Sequence, residues 1–167
     1  MTPAALHLAI RVRPIEEGDV DELLAMMRAL AEKEGEAAHL TVSPARLRET
    51  GFGDRPHWSG LFATIMGETV GYATCTRDFH LWSGAERITI DDVFVRPEFR
   101  GMGIGERLMT TIFDEARAKH ALVNWTVQPD NERAIRFYQR LGASYRETGK
   151  CSWRSTEERP RHRGGII

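Results

Sequence analysis

The segment of this chain best equipped for chemistry is a strand that runs into a glycine-rich turn at the head of a helix. It reads Val93-Phe94-Val95-Arg96-Pro97-Glu98-Phe99-Arg100-Gly101-Met102-Gly103-Ile104-Gly105-Glu106-Arg107-Leu108. A helix start leaves several backbone N–H groups without partners, and its positive end adds to their pull. A turn of this kind can therefore hold an anion such as a pyrophosphate. Glycine at 101, 103 and 105 permits close approach and backbone angles closed to other residues. The run is not a Walker A loop, because the closing Gly-Lys-Ser/Thr is missing. Its G-x-G-x-G spacing also differs from the dinucleotide pattern G-x-G-x-x-G. Two carboxylates, Asp91 and Asp92, stand just before the strand's apolar end. Successive strand residues face opposite sides, so only one of them should reach a common pocket unless a bulge intervenes. Tyr138 lies in a helical pattern after Phe137, where periodicity alone reads as core with a hydroxyl at its rim.

These residues need a scaffold, and the pattern along the chain supplies one. Leu8–Val12 reads as a first strand. Asp19, with Glu22 three residues on, opens a helix whose Val20, Leu23, Leu24, Met27 and Ala31 share a face and which Gly35 ends. Ser43-Pro44 starts a shorter helix through Leu47. Strands follow at 61–66 and 69–76 around Gly67-Glu68, then at 88–95 after Trp82-Ser83-Gly84. The helix after the glycine turn gathers Ile104, Leu108, Met109, Ile112 and Ala116 on one side. A strand at Leu122–Val127, a helix at Asn131–Leu141 ended by Gly142, and two short strands near 144–148 and 151–154 complete the order. This predicts an α/β fold: one three-layer domain over 1–167, with a mixed, mostly antiparallel sheet and helices on both faces. The packed core spans about 8–155, and 156–167 is a solvated basic tail.

Composition narrows the classes of partner. Lys and Arg number 23 against 24 Asp and Glu, a net charge of −1, which offers no electrostatic footprint for nucleic acid or an anionic membrane. The two cysteines, Cys75 and Cys151, form neither a disulfide framework nor a CxxC motif. His80 and His120 lack metal-ligand spacing, so no metal is expected. The N-terminal stretch does not read as a signal peptide and no segment is long enough to span a bilayer, which predicts a cytoplasmic protein.

Arg100-x-x-Gly103-x-Gly105 after Val-Phe-Val resembles the acetyl-CoA motif of the GNAT superfamily of N-acetyltransferases. Asn131-x-x-Ala134-x-x-Phe137-Tyr138-x-x-Leu141-Gly142-Ala143 resembles that family's second cofactor-side motif. The resemblance implies that the main chain of Val93, Phe94 and Val95 pairs with the pantetheine arm. Arg100, Gly101, Met102, Gly103, Ile104 and Gly105 then grip the pyrophosphate, with Glu106 in the same turn. Asn131 and Ala134 fall on the cofactor-contacting helix, and Tyr138 becomes the acid that protonates the departing thiolate. A homodimer is implied in the same way.

Within the superfamily, Leu30-Ala31-Glu32-Lys33-Glu34, Leu47 through Gly53, and Ile90 through Gly101 are similar to diamine (spermidine/spermine) N-acetyltransferases. That branch implies acetyl transfer to the primary amine of a polyamine or lysine-like amino acid by direct attack in a ternary complex. Glu34, Asp91 and Asp92 would bind the substrate cation. Trp125 is the aromatic candidate for the amine pocket, with core packing as its plainer role. Two positions depart from the branch: aspartate replaces the usual glutamate at 91, and Lys33 replaces an aromatic residue. The competing functions are a peptide or protein amine acetyltransferase and a non-catalytic CoA-binding sensor module.

Overall fold

In the computed structural model, which describes residues 9–149, five strands form one sheet in the order β1-β2-β3-β4-β5. They are β1 (Ile10–Pro14), β2 (Trp58–Ile65), β3 (Glu68–His80), β4 (Ala85–Val95) and β5 (Leu122–Asn124). The first three pairings are antiparallel and β4–β5 is parallel, which is the mixed sheet that the sequence predicts. Pro14, which cannot donate to a ladder, ends an edge strand. The β2–β3 hairpin turns at Met66 and Gly67, both at positive φ, as a tight two-residue turn requires.

Three helices accompany the sheet: α1 (Val20–Glu34), α2 (Pro44–Gly51) and α3 (Ile104–Ala118). Contacts divide the chain into two compact units, Met1–Val127 and Gln128–Ile167, and all of these elements belong to the first. The second contains α4 (Glu132–Arg140), which stops before Gly142 at a φ of 90°. Among the described residues no helix is long and apolar enough to cross a membrane.

Side-chain parity along β3 places the helices on opposite faces of the sheet. Tyr72 packs with Phe62, Phe94, Ile15 and the α1 residues Leu23 and Met26. The neighbouring Gly71 looks the other way. A β-carbon there would lie 3.3 Å from Ile104 of α3 and 2.8 Å from the Phe94 carbonyl oxygen. Only glycine lets the head of α3 seat this closely on β3 and β4. The face of α3 predicted from periodicity is the one buried: Ile104, Leu108, Met109, Ile112 and Ala116.

Several boundaries differ from the sequence expectation. Asp19 stands at the N-cap of α1, but its side chain makes no capping bond to the helix. Its carboxylate takes a two-pronged pair from Arg13 and the backbone N–H of Glu16, and the capping box forms one turn earlier, around 17–19. A guanidinium fork outcompetes a lone helix N–H for the same carboxylate. Strand β5 pairs only over Leu122–Asn124, so 125–127 lie outside the sheet. The strand expected at 144–148 is absent: 143–149 carry no regular element. That run offers Tyr145 as its one large apolar side chain, too little to bury a strand face. The strand expected at 151–154, Cys151 and the basic tail lie outside the described residues, as does Leu8.

Candidate active site

Strand β4 carries one residue more than its partner. Thr74 pairs with Asp92 and Cys75 with Ile90, so Asp91 opposes nothing on β3. This is a β-bulge, and it resolves the parity of the two aspartates. Thr74 and Thr76, two apart on a regular stretch of β3, share a face with Tyr72. The Thr74 hydroxyl donates to Asp92 at 3.5 Å and the Thr76 hydroxyl to Asp91 at 3.4 Å. Both carboxylates therefore lie on the α1 side of the sheet. Before the bulge, Ile88 and Ile90 pair with Arg77 and Cys75 on the other side, where Arg77 reaches Glu115 of α3.

Glu34 joins them from the last position of α1. Burial pushes the Asp92 carboxyl above its ordinary range, and the negative charge of Glu34 pushes it further. Burial and then the charge of Asp92 do the same to Asp91, against a smaller lowering by Thr76. A helix C-terminus carries partial negative charge, so α1 adds to a field that repels anions and draws cations. Gly35, at a φ of 73°, ends the helix directly after Glu34. Lys33 is adjacent in sequence, but neighbouring helical residues point about 100° apart and do not face each other.

Tyr72 also belongs to this cluster, although nothing in the sequence reading marked it. It is fully buried, and its hydroxyl has no hydrogen-bond partner among the described residues. Burial, with the charges of Asp92 and Glu34, holds its phenol protonated far above the usual range. The legible signal was a tyrosine inside Val70-Gly71-Tyr72-Ala73, a strand buried on both faces. A hydroxyl there needs an explanation.

On the opposite flank of β4, pairing with β5 stops at Thr89–Asn124, just before the bulge. Among the described residues the far edge of β4 from Ile90 to Val95 has no β5 partner, so no strand covers the main chain of Val93, Phe94 and Val95 there, while the Phe94 side chain sits in the core. The strand leads through a short helical turn at Pro97–Phe99 to the glycine run. Arg100 folds back to the Val95 carbonyl at 3.0 Å and ties the turn to the strand end. Gly101 and Gly103 adopt φ of 78° and 81°, and Gly103 is the N-cap of α3 with no side chain capping the helix. The first N–H groups of α3, from Ile104, Gly105 and Glu106, are therefore free to bind an anion beside Met102.

In the second unit, Asn131 caps α4, its side chain accepting from the Ala134 N–H at 3.1 Å. Tyr138 is half-buried on α4 with Phe137 at 5.3 Å, and burial raises its pKa. Trp125, just past β5, stacks on Phe113 of α3 at 5.8 Å. Cys75 is buried, and its thiol is pushed up to about 12 by burial and then by Asp91, so it is no nucleophile. No group of His, Cys, Asp and Glu able to hold a metal occurs among the described residues.

Comparisons with known proteins agree with this geometry. The Acetyltransferase (GNAT) family profile matches residues 23–143. A thialysine N-epsilon-acetyltransferase from Bos taurus is 32% identical over 148 residues, covering 80% of this chain and 84% of that protein. A spermidine/spermine N(1)-acetyltransferase-like protein from Homo sapiens is 27% identical over 146 residues, or 80% of this chain and 20% of that protein. An aminoglycoside acetyltransferase from an uncultured soil metagenomic sample, solved with sisomicin, superposes with a TM-score of 0.76. It covers 91% of this chain and 99% of its own at 14% identity.

Two partly desolvated carboxylates, Asp91 and Asp92, held near one another and near the charge of Glu34 cost stability. The folded-state pKa of Asp92 lies above its unfolded value, so the native state holds the proton more tightly. The penalty is absent at low pH and grows as pH rises through the folded pKa. Asp92→Asn is therefore expected to raise Tm at pH 7 by about 2–4 °C, the shift that roughly 1 kcal/mol produces in a chain of this length. The gain should shrink in acid, where wild-type Asp92 is itself neutral. Melting curves at several pH values check it, and a fall in Tm at pH 7 would show the cluster to be stabilising.

Proposed function

The chain belongs to the GNAT acetyltransferase family, and from that premise we propose that it moves the acetyl group of acetyl-CoA to the primary amine of a small polycation, a polyamine or a lysine-like amino acid. It is an acyltransferase by family, and the family match over residues 23–143 runs from the first unit into the second, which supports one acetyltransferase domain. The observation that carries the choice of acceptor is the Asp91 bulge, which gathers two aspartates on the face that Glu34 overlooks. Three negative groups and a helix C-terminus select a cation. The relatives named for thialysine and for spermidine/spermine support an acceptor of this class.

The residues divide the work by chemistry. The free N–H groups at the head of α3, with Arg100 and the turn from Gly101 to Gly105, suit the pyrophosphate of coenzyme A. The open β4 edge at Val93 to Val95 suits the amide groups of the pantetheine arm, and a strand N–H there supports charge developing on the acetyl oxygen. Asn131 and Ala134 bind the cofactor from α4. Asp91 and Asp92 hold the acceptor, and one of them takes the proton that the attacking amine must lose, through water. Glu34 anchors the second cation. Trp125 flanks the acceptor. Tyr138, a phenol kept protonated by burial, returns a proton to the thiolate.

Two outcomes test this. In an assay of acetyl-CoA-dependent thiol release, a diamine should show a higher kcat/KM than a monoamine of equal length. Asp91→Asn or Glu34→Gln should raise KM for the diamine far more than for the monoamine. Absence of a diamine preference, or equal loss on both substrates, would refute the polycation and favour a peptide amine. Separately, Tyr138→Phe should lower kcat by about 10²–10⁴-fold with acetyl-CoA affinity nearly intact. A variant of near wild-type kcat would remove the general-acid role.

A further inference from the structure

The Tyr72 hydroxyl is the one buried side-chain polar atom without a partner among the described residues. An orphaned buried hydroxyl is expensive, because the group has left water and gained nothing in return. Its ring is spoken for: it pairs with Phe94 across β3–β4, centroids 5.8 Å apart, inside the cluster that α1 covers. Phenylalanine would pack there equally well, so the core does not explain the oxygen.

Its place explains it better. Tyr72 pairs with Phe94 and Thr74 with Asp92, so Tyr72 and Asp92 are diagonal neighbours on the α1 face. The charges of Asp92 and Glu34 both act on the phenol. The hydroxyl thus looks toward the carboxylates that receive the cation, from the core side. From α1, Leu23 and Met26 belong to the cluster around Tyr72, and Met27 and Leu30 pack against it. The two methionines among them are unbranched thioethers that re-pack at low cost, so the packing can yield to an incoming group.

We propose that Tyr72 is a specificity-determining residue: with Asp92 and Glu34 it forms a three-acceptor seat for the distal, non-reacting ammonium of the acceptor, and so selects a terminal primary ammonium over an alkylated one. This rests on the polycation reading. A primary ammonium carries three N–H donors. Two go to the carboxylates and the third to the Tyr72 oxygen, while the phenol's own proton turns to Asp92. All the groups are then satisfied and no proton changes owner. A trimethylammonium group of the same charge has no N–H, so it keeps the Coulomb attraction but loses the seat.

Three acceptors of equal chain length separate the possibilities: a diamine, its mono-N,N,N-trimethylated analogue, and a monoamine. Wild type is expected to prefer the diamine over the trimethylated analogue, and Tyr72→Phe to narrow that ratio by about 10-fold, as loss of a hydrogen bond to a charged group does. The diamine KM should carry the change, and Tm should hold or rise because an unsatisfied hydroxyl has been removed. An unchanged ratio in Tyr72→Phe, with wild type still preferring dications to the monoamine, overturns the seat and leaves the polycation reading standing. Loss of the dication preference in wild type overturns both. A marked fall in Tm on Tyr72→Phe also overturns the seat, since the hydroxyl would then have an internal structural partner.

Discussion

Between Ile90 and Asp92, β4 carries one residue that β3 cannot pair, and the geometry on both sides of the strand follows from that extra residue. Side chains in a strand alternate, so an inserted residue exchanges the two faces for everything beyond it. Ile88 and Ile90 face α3. After the bulge it is Asp92 and Phe94 that face α1, and Phe94 meets Tyr72 in the core. In a regular register Phe94 would turn away from Tyr72, and only one aspartate would reach the face that Glu34 overlooks. A bulge also bends its strand. The parallel pairing of β4 with β5 ends one residue before Ile90, so among the described residues no strand pairs with the edge from Ile90 to Val95. One local irregularity thus accompanies both the carboxylate cluster and the free strand edge.

The cluster is held at a cost that the rest of the unit bears. Asp92 and Asp91 are partly desolvated, repel one another, and receive only long hydrogen bonds from Thr74 and Thr76. Contrast Asp19, whose carboxyl is held below its ordinary range by the Arg13 guanidinium and a backbone N–H. Elsewhere the chain pairs its carboxylates with cations, as it does again between Arg77, Glu86 and Glu115 and between Asp78 and Arg87. No such cation is paired with Asp91, Asp92 or Glu34 in any ion pair among the described residues. A group left unsatisfied by the fold is suited to being satisfied by a ligand.

Much of this was legible because it depends on local patterns. The buried face of α3, the stops at Gly35 and Gly142, and the β2–β3 turn all follow from apolar spacing and from residues that tolerate positive φ. The glycine turn was legible for the same reason, since Gly101 and Gly103 are at the positions that take positive φ. The bulge was not, because Ile-Asp-Asp-Val-Phe-Val alternates acceptably in either register and only the pairing with β3 decides. The sequence reading left Asp91 against Asp92 open on that condition. Tyr72 stayed hidden because a buried strand has no polar face to contrast with it. Strand β5 is shorter than predicted for a related reason: Leu122–Val127 keeps its apolar alternation beyond the point where its pairing with β4 ends. Asp19 stands at the N-cap as its spacing predicts, but the partner of its carboxylate was not legible, because Arg13 approaches it through the fold from a strand six residues back.

The account stands on the claim that the bulge presents an acceptor's cation to Asp91 and Asp92 on the α1 face, while the cofactor arm lies along the opposite, open edge of β4. A crystal structure of the protein with coenzyme A and a diamine measures this directly. The predicted result places the distal ammonium against Asp92 and Glu34, with Asp91 on the same side, and the pantetheine amides on the β4 main chain between Val93 and Val95. A diamine bound on the α3 face, or a β4 in regular register with Asp91 turned away from Asp92, would contradict it.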